Sequence, residues 1–379
     1  MGLFSINGKE KLECGLLCSL RKVLFCCMID GAKEKEKEKM ITDKEDIRIN
    51  RAILHILDST MGMPVLSDAI LDTGSDFCDF LKSHIYRLLS GDDLRKCEFN
   101  KEESEVFRAL QDYSEENFVP ITQMFASMLF EVMNSNPAIV PGDFILVEYQ
   151  AERQLYLAML KMNYKMSYTH ITEQEGIGNK NSITRHHAIL PSEGQRLSEA
   201  CFIHLGDFSI WLVEKKYEVN GEKVAYFSKL FLKCMGALSA KSKIALVSKA
   251  VDQVQKKYFG EEEQLEASME AKNMIYQELS EEGTLNIPRV IDKIFKEKEE
   301  FKQEVKEKLD KYHISEDEVT PRSESTVKKF EKQCLTTDTG IELRIPMEQY
   351  QNPDNVQFIT NEDGTISVLL KNIGHIVTK

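Results

Sequence analysis

The sequence predicts an α+β protein: a mostly antiparallel central sheet packed by helices, followed by a helical segment and a small C-terminal β element. Three observations carry this. Residues 140–218 hold short apolar runs divided by turn-forming residues. Stripes of apolar residues at helical spacing stand before and after them. The chain end returns to strand-like alternation around Asp363-Gly364, a strong hairpin signal.

Four regions follow: 1–39, 40–221, 222–318 and 319–379. The first is read as a translated leader or disordered extension. Its run "GAKEKEKEKM" alternates Lys and Glu up to Met40. Purine codons alone encode that alternation, and AAG-GAG contains the core of a bacterial ribosome-binding site, so Met40 is the expected native start. A solvated Lys/Glu helix is the competing reading of such a run. Four of the nine cysteines (Cys14, Cys18, Cys26, Cys27) lie in this leader; they could suggest a metal knuckle, but no C-x-x-C pair and no nearby His supports one.

Asp46–Ser59 alternates polar and apolar residues and fits an opening strand. "SDFCDFLKSHIYRLLSG" places Phe77, Phe80, Leu81, His84, Ile85 and Leu88 on one helix face, with Gly91 as its stop. "SEENFVPITQMFASMLFEVMNSN" reads as a longer helix capped by Ser114. Next, "GDFILVEYQ", "RQLYLAMLKM", "SYTHIT" and "SITRHHAIL" read as strands of the sheet. "CFIHLGDFSIWLVEKKY" adds two more, joined by a type II′ turn at Gly206-Asp207.

Helices return in "EKVAYFSKLFLKCMG", with Val224, Phe227, Phe231 and Met235 in line and Gly236 as the stop. In "LSAKSKIALVSKAVDQVQKKYF", Ile244, Val247, Val251, Val254 and Tyr258 form one continuous stripe. Two acidic helices are expected around Glu261–Leu279 and Lys298–Tyr312, then a linker at "SEDEVTPRSES" and the C-terminal strands.

Composition excludes several classes. No run approaches the roughly 20 apolar residues of a membrane span. The odd, scattered cysteines fit a reducing compartment. There is no Walker loop, dinucleotide fingerprint, G-x-S-x-G or H-E-x-x-H. "GIGNKN" lacks the G-K-[ST] of a phosphate cradle, and Asp363 lacks the spacing of a calcium loop. His186 and His187, adjacent in a strand, point to opposite faces, while His55 and His204 fit hydrogen-bonded core positions. No carboxylate pair stands out. The expected absences are a catalytic site, a metal and a cofactor.

The formal net charge is -13, yet one segment is basic. Lys223 to Lys257 contains eight lysines against a single acid, Asp252. Lys249 and Lys256 fall opposite the Ile244–Tyr258 stripe, flanked by Lys241 and Lys257, with Lys243 nearer the apolar edge. Lysine is a compact charge suited to phosphate rather than base edges. The candidate DNA-binding residues are therefore Lys229, Lys233, Lys241, Lys243, Lys249, Lys256 and Lys257, with salt-sensitive binding of little sequence preference. The alternative is that these lysines pair with the acidic helices that follow.

The order of segments, above all "INRAILHILD", "LSAKSKIALVSKAVDQ" and "GIELRIPMEQY…DGTISVLLKNI", resembles the bacterial nucleoid-associated protein family of the NdpA type over about Ile47 to Ile373. The resemblance implies a cytoplasmic protein that associates with the bacterial nucleoid, binding DNA directly or through proteins that act on it; the expected DNA partner is double-stranded. It supplies no catalytic residues to carry over. Two other readings stay open: an acidic adaptor recruited by a DNA-topology or transcription enzyme, and a nuclease-like enzyme. A homodimer is compatible with the apolar stripes.

Overall fold

The computed structural model describes residues 43–175, 178–219 and 221–377. The leader and the start at Met40 lie outside these residues. The α+β expectation holds: a seven-stranded, wholly antiparallel sheet is followed by a helical layer and small hairpins.

The sheet has the order β1-β3-β4-β7-β8-β2-β11. Its strands are β1 (Arg48–Leu57), β2 (Arg95–Phe99), β3 (Gly142–Ala151), β4 (Gln154–Asn163), β7 (Glu199–His204), β8 (Ile210–Val213) and β11 (Cys234–Gly236). Alternation divides their side chains between two faces. Ile53, Phe144, Leu146, Leu157, Met159, Cys201, Ile203 and Leu212 form one core with α2 (Glu105–Gln111) and α3 (Phe118–Asn134). The opposite face is also buried, through Ala52, Ile145, Val147, Ala158, Leu160 and Phe202. The first helix, α1 (Ser75–Leu89), touches β1. Its buried residues Leu81, Ile85 and Leu88 stand outside the first core, as suits a helix on the second face.

Three local expectations are corrected. Helix α3 starts after Asn117, not Ser114. The Asn117 side chain accepts from the Ser114 N–H at 2.8 Å and donates to the Asp112 carbonyl at 2.6 Å, which closes the α2–α3 turn before the helix begins. The β7–β8 connection is not a two-residue type II′ turn. It runs from Leu205 to Ser209, and Phe208, not Gly206, takes the left-handed backbone (φ 62°). Asp207 accepts from Ser209 and contacts His204, so a side-chain-bonded loop replaces the tight turn.

The third correction concerns 222–236, expected as one helix. The segment instead forms β10 (Glu222–Val224), paired with β9 (Tyr217–Val219), then a π-helical turn (Phe227–Leu232), then edge strand β11. Lys233 adopts φ 50°, and its carbonyl accepts from Asn100. Sheet pairing at Cys234–Gly236 outweighs the apolar periodicity. Gly236 is needed there, because a Cβ would fall 2.3 Å from the Lys96 carbonyl oxygen.

"SYTHIT" and "SITRHHAIL" do form strands, but not in the central sheet. They belong to β5 (Lys165–Glu175) and β6 (Gly178–Ile189), which pair only with each other as a two-stranded ribbon. Nearly every described residue of the ribbon is exposed.

The helical layer contains α4 (Ala240–Tyr258), α5 (Glu261–Glu281), α6 (Ile287–Phe295) and α7 (Glu299–Asp310). The α4 stripe is buried as expected through Ile244, Val247, Val251 and Val254, against Ile275, Leu279, Val290, Val305 and Leu309. Tyr258 stacks on Phe301 with centroids 4.3 Å apart. Helix α6 was not anticipated; Asn286 caps it and Pro288 opens it. The expected linker is held rather than free. β12 (Leu285–Asn286) pairs with β13 (Glu318–Val319), and the Ser323 N–H donates to buried Asp92 ahead of α8 (Glu324–Lys328). β14 (Lys332–Thr336) and β15 (Glu342–Pro346) form a hairpin, tied to α5 by the Gln333 amide on the Met269 carbonyl. After α9 (Met347–Tyr350), β16 (Val356–Thr360) and β17 (Ile366–Leu370) make the expected hairpin around Gly364 (φ 79°).

Candidate nucleic-acid interface

The α4 lysines do turn outward, but four of the seven candidates meet carboxylates. Lys241 pairs with Asp93 at 2.7 Å, Lys243 with Asp317 at 2.7 Å, Lys256 with Asp252 at 2.9 Å and Lys257 with Glu304 at 2.7 Å. Only two of these acids come from the acidic helical segment; Asp93 lies at the α1–β2 turn. Lys249 is exposed with no ion pair among the described residues. Lys233 sits elsewhere, in a depression with Glu105 and Glu131.

Lys229 instead joins a groove of about 720 Å³ at one end of the sheet. The groove gathers the start of β2 (Arg95), the approach to β7 (Arg196, Ser198), the exit of β8 (Glu214, Lys215, Lys216), the π-helical turn (Ser228, Lys229) and the cap of α4 (Ser239, Ser242). The register explains the convergence. Arg95 pairs opposite Leu212, and Glu199 opposite Lys161, so β2 and β7 begin where β8 and β4 end.

Ion pairs organise the walls. Glu214 bonds Arg95 and accepts from the Ser228 N–H at 2.9 Å and hydroxyl at 2.7 Å. Asp93 holds Arg196 at 2.7 Å as well as Lys241. Arg196 reaches it by lying over Gly91, where any Cβ would displace the guanidinium. Lys215, Lys216 and Lys229 remain exposed with no carboxylate partner among the described residues. Lys215 lies 5.4 Å from the Tyr217 ring centroid. One helix face continues the groove, since Ser242 and Lys249 are seven residues apart, about two turns, and both are exposed. The arrangement offers phosphate three exposed ammonium groups beside two guanidinium groups held by ion pairs.

Sequence reasoning missed Lys215, Lys216, Arg95 and Arg196. Its available signal was "EKKY" immediately after an apolar strand, which sets two cations at a sheet end.

The other polar clusters are internal. Lys161 and Glu199 are buried where β4 ends and β7 begins. Lys161 donates to the Val140 carbonyl at 2.6 Å, and Asn163 donates to Glu199 at 2.8 Å. Burial pulls the Lys161 ammonium down to about 8, opposed by Glu199. The cluster pins the root of the β5–β6 ribbon. Glu148 joins β3 to Arg51 (2.6 Å), Asn50 and Tyr113. Burial pushes that carboxyl up, but the hydrogen bonds from Arg51, Tyr113 and Asn50 outweigh it and hold it below its ordinary value. His55 is buried as expected, its Nδ1 accepting from the Ser67 N–H at 3.1 Å, and burial lowers it to about 4. His204, by contrast, lies beside the surface loop, on Asp207 and Gln154. Among the described residues, no group of three or more His, Cys, Asp or Glu could hold a metal ion, and no helix is long and apolar enough to cross a membrane.

A family model described as nucleoid-associated protein YejK matches residues 53–376, most of the chain. No curated protein matches it. The chain belongs to this nucleoid-associated protein family.

Proposed function

We propose that this member of the nucleoid-associated family binds double-stranded DNA directly, without chemistry and with little sequence preference, through phosphate contacts at the basic end of its sheet. The observation that carries the reading is the set of exposed cations without carboxylate partners among the described residues, Lys215, Lys216 and Lys229, gathered in one groove of a chain whose net charge is -13. Net charge governs long-range repulsion, whereas phosphate contact depends on where the local cations stand. Lys249 extends the surface along α4. Lys241, Lys243, Lys256 and Lys257 contribute less, because each must leave a carboxylate before it meets a phosphate. Lys233 stands apart from the surface. The protein accordingly acts in the cytoplasm, at the nucleoid.

The test is fluorescence anisotropy with duplexes of unrelated sequence across a salt series. Direct contact gives a steep fall of affinity with salt and near-equal affinities for all duplexes. Absence of binding at low salt removes the reading.

A second reading, a partner surface for a DNA-topology or transcription enzyme or for a second copy in a homodimer, is favoured by the chain end. Ile366, Leu369, Leu370, Ile373, Ile376 and Val377 are all exposed there, and clustered exposed apolar side chains suit contact with another protein. Light scattering tests the second copy, and pull-down with the purified enzymes tests the adaptor role.

A further inference from the structure

We propose that the β5–β6 ribbon is a DNA-inserting arm: it enters the minor groove of the duplex held at its root and wedges Tyr168 and Ile183 against the base steps, bending the DNA. This rests on the direct DNA contact proposed above and adds where the duplex goes and what happens to it.

Register supplies the first argument. Tyr168 pairs opposite Arg185, and His170 opposite Ile183. Opposed residues share a face, as do residues two apart. Tyr168, His170, Ile183 and Arg185 therefore form one patch. Tyr168 is 69% exposed and Ile183 77% exposed, so two large side chains of a β-forming type are left largely uncovered by the described residues. A two-stranded ribbon alone in water is at best marginally stable. Eleven residues of β5 reach about 35 Å, close to one turn of duplex.

Position supplies the second. The ribbon leaves the sheet between β4 and β7, and its return path runs through Arg196 and Ser198 into the groove wall. The arm and the groove therefore share one end of the sheet. Lys165 stands exposed at the foot of the arm, so a backbone laid in the groove meets cations up to the point where Tyr168 and Ile183 stand.

Charge chooses the occupant. A symmetric pairing of two copies sets the same patch against itself, which would bring the cationic Arg185 side chains of the two copies close together. Duplex DNA satisfies both features, since phosphate suits the root and apolar wedges suit unstacked minor-groove steps.

The experiment uses the full chain and a duplex of about 30 base pairs, long enough to report a bend, labelled at both ends for energy transfer. Anisotropy and light scattering accompany it. Two variants are compared: Tyr168→Ser with Ile183→Ser, and replacement of 167–187 by an Asn-Gly turn. Urea unfolding confirms that both stay folded. Wild type is expected to bring the duplex ends together, in competition with a minor-groove dye. The double Ser variant should keep the salt slope, lose no more than roughly tenfold in affinity, and lose at least half of the energy-transfer change. The truncation should lose nearly all of it. Bending equal to wild type in either variant overturns the arm, as does wild-type binding without bending. A fall from dimer to monomer on truncation also overturns it, assigning the ribbon to a second copy. Wild-type protein that fails to bind DNA at all removes the DNA reading and the arm together, which separates the two failures.

Discussion

The α4 face and the groove at the sheet end have similar numbers of cations and opposite electrostatic fates. On α4, Lys241, Lys243, Lys256 and Lys257 each meet a carboxylate. In the groove, two acids occupy the two arginines, and Lys215, Lys216 and Lys229 stay without one among the described residues. A basic run in sequence is thus no guide to a basic surface, because counterions arrive from far along the chain. Asp93 lies well before the α4 lysines and Glu304 well after. Conversely, a basic surface needs no basic run: the groove draws its cations from four separate segments.

The most disruptive test of this contrast reverses charge in the groove. Lys215→Glu, Lys216→Glu and Lys229→Glu together should lower DNA affinity by roughly a hundredfold or more near 0.1 M salt, since each phosphate contact carries a salt slope of about 0.9. Anisotropy measures it. The matched triple on α4, Lys249→Glu, Lys256→Glu and Lys257→Glu, changes net charge equally, so it controls for long-range repulsion. Its expected loss is about tenfold or less. Equal losses would erase the distinction between the surfaces.

Asp93→Asn sharpens the contrast in the other direction. It frees Lys241 and Arg196 together and should raise affinity by roughly eightfold near 0.1 M salt, about one added phosphate contact. Protonation of His55 should leave affinity almost unchanged while affecting the fold. His55 is lowered to about 4 by burial, against about 6.5 when unfolded. As pH falls, the unfolded chain takes up the proton first. Its contribution is full above pH 6.5 and is lost between 6.5 and about 4. The urea midpoint should fall across that window, and His55→Gln should flatten the fall.

The fold was legible wherever one period ran without competition. The α4 stripe, the helix around Lys298–Tyr312 and the Gly364 hairpin all appear where expected. Failures came where a long-range partner outweighed a local pattern. The periodicity of 222–236 lost to edge pairing of Cys234–Gly236 with β2. The strands of the ribbon were recognised, but nothing local says that two strands leave the sheet. Of the candidate site, Lys229 and Lys249 were legible. The groove was not, because convergence of strand ends is a property of register rather than of composition.

The most direct test of the account is lysine acetylation footprinting of the full chain with and without saturating duplex DNA, read by peptide mass. The account predicts strong protection of Lys215, Lys216 and Lys229, weaker protection of Lys249, and little change at Lys256 and Lys257. Protection concentrated at Lys256 and Lys257, with Lys215 and Lys216 as reactive as in free protein, would contradict it.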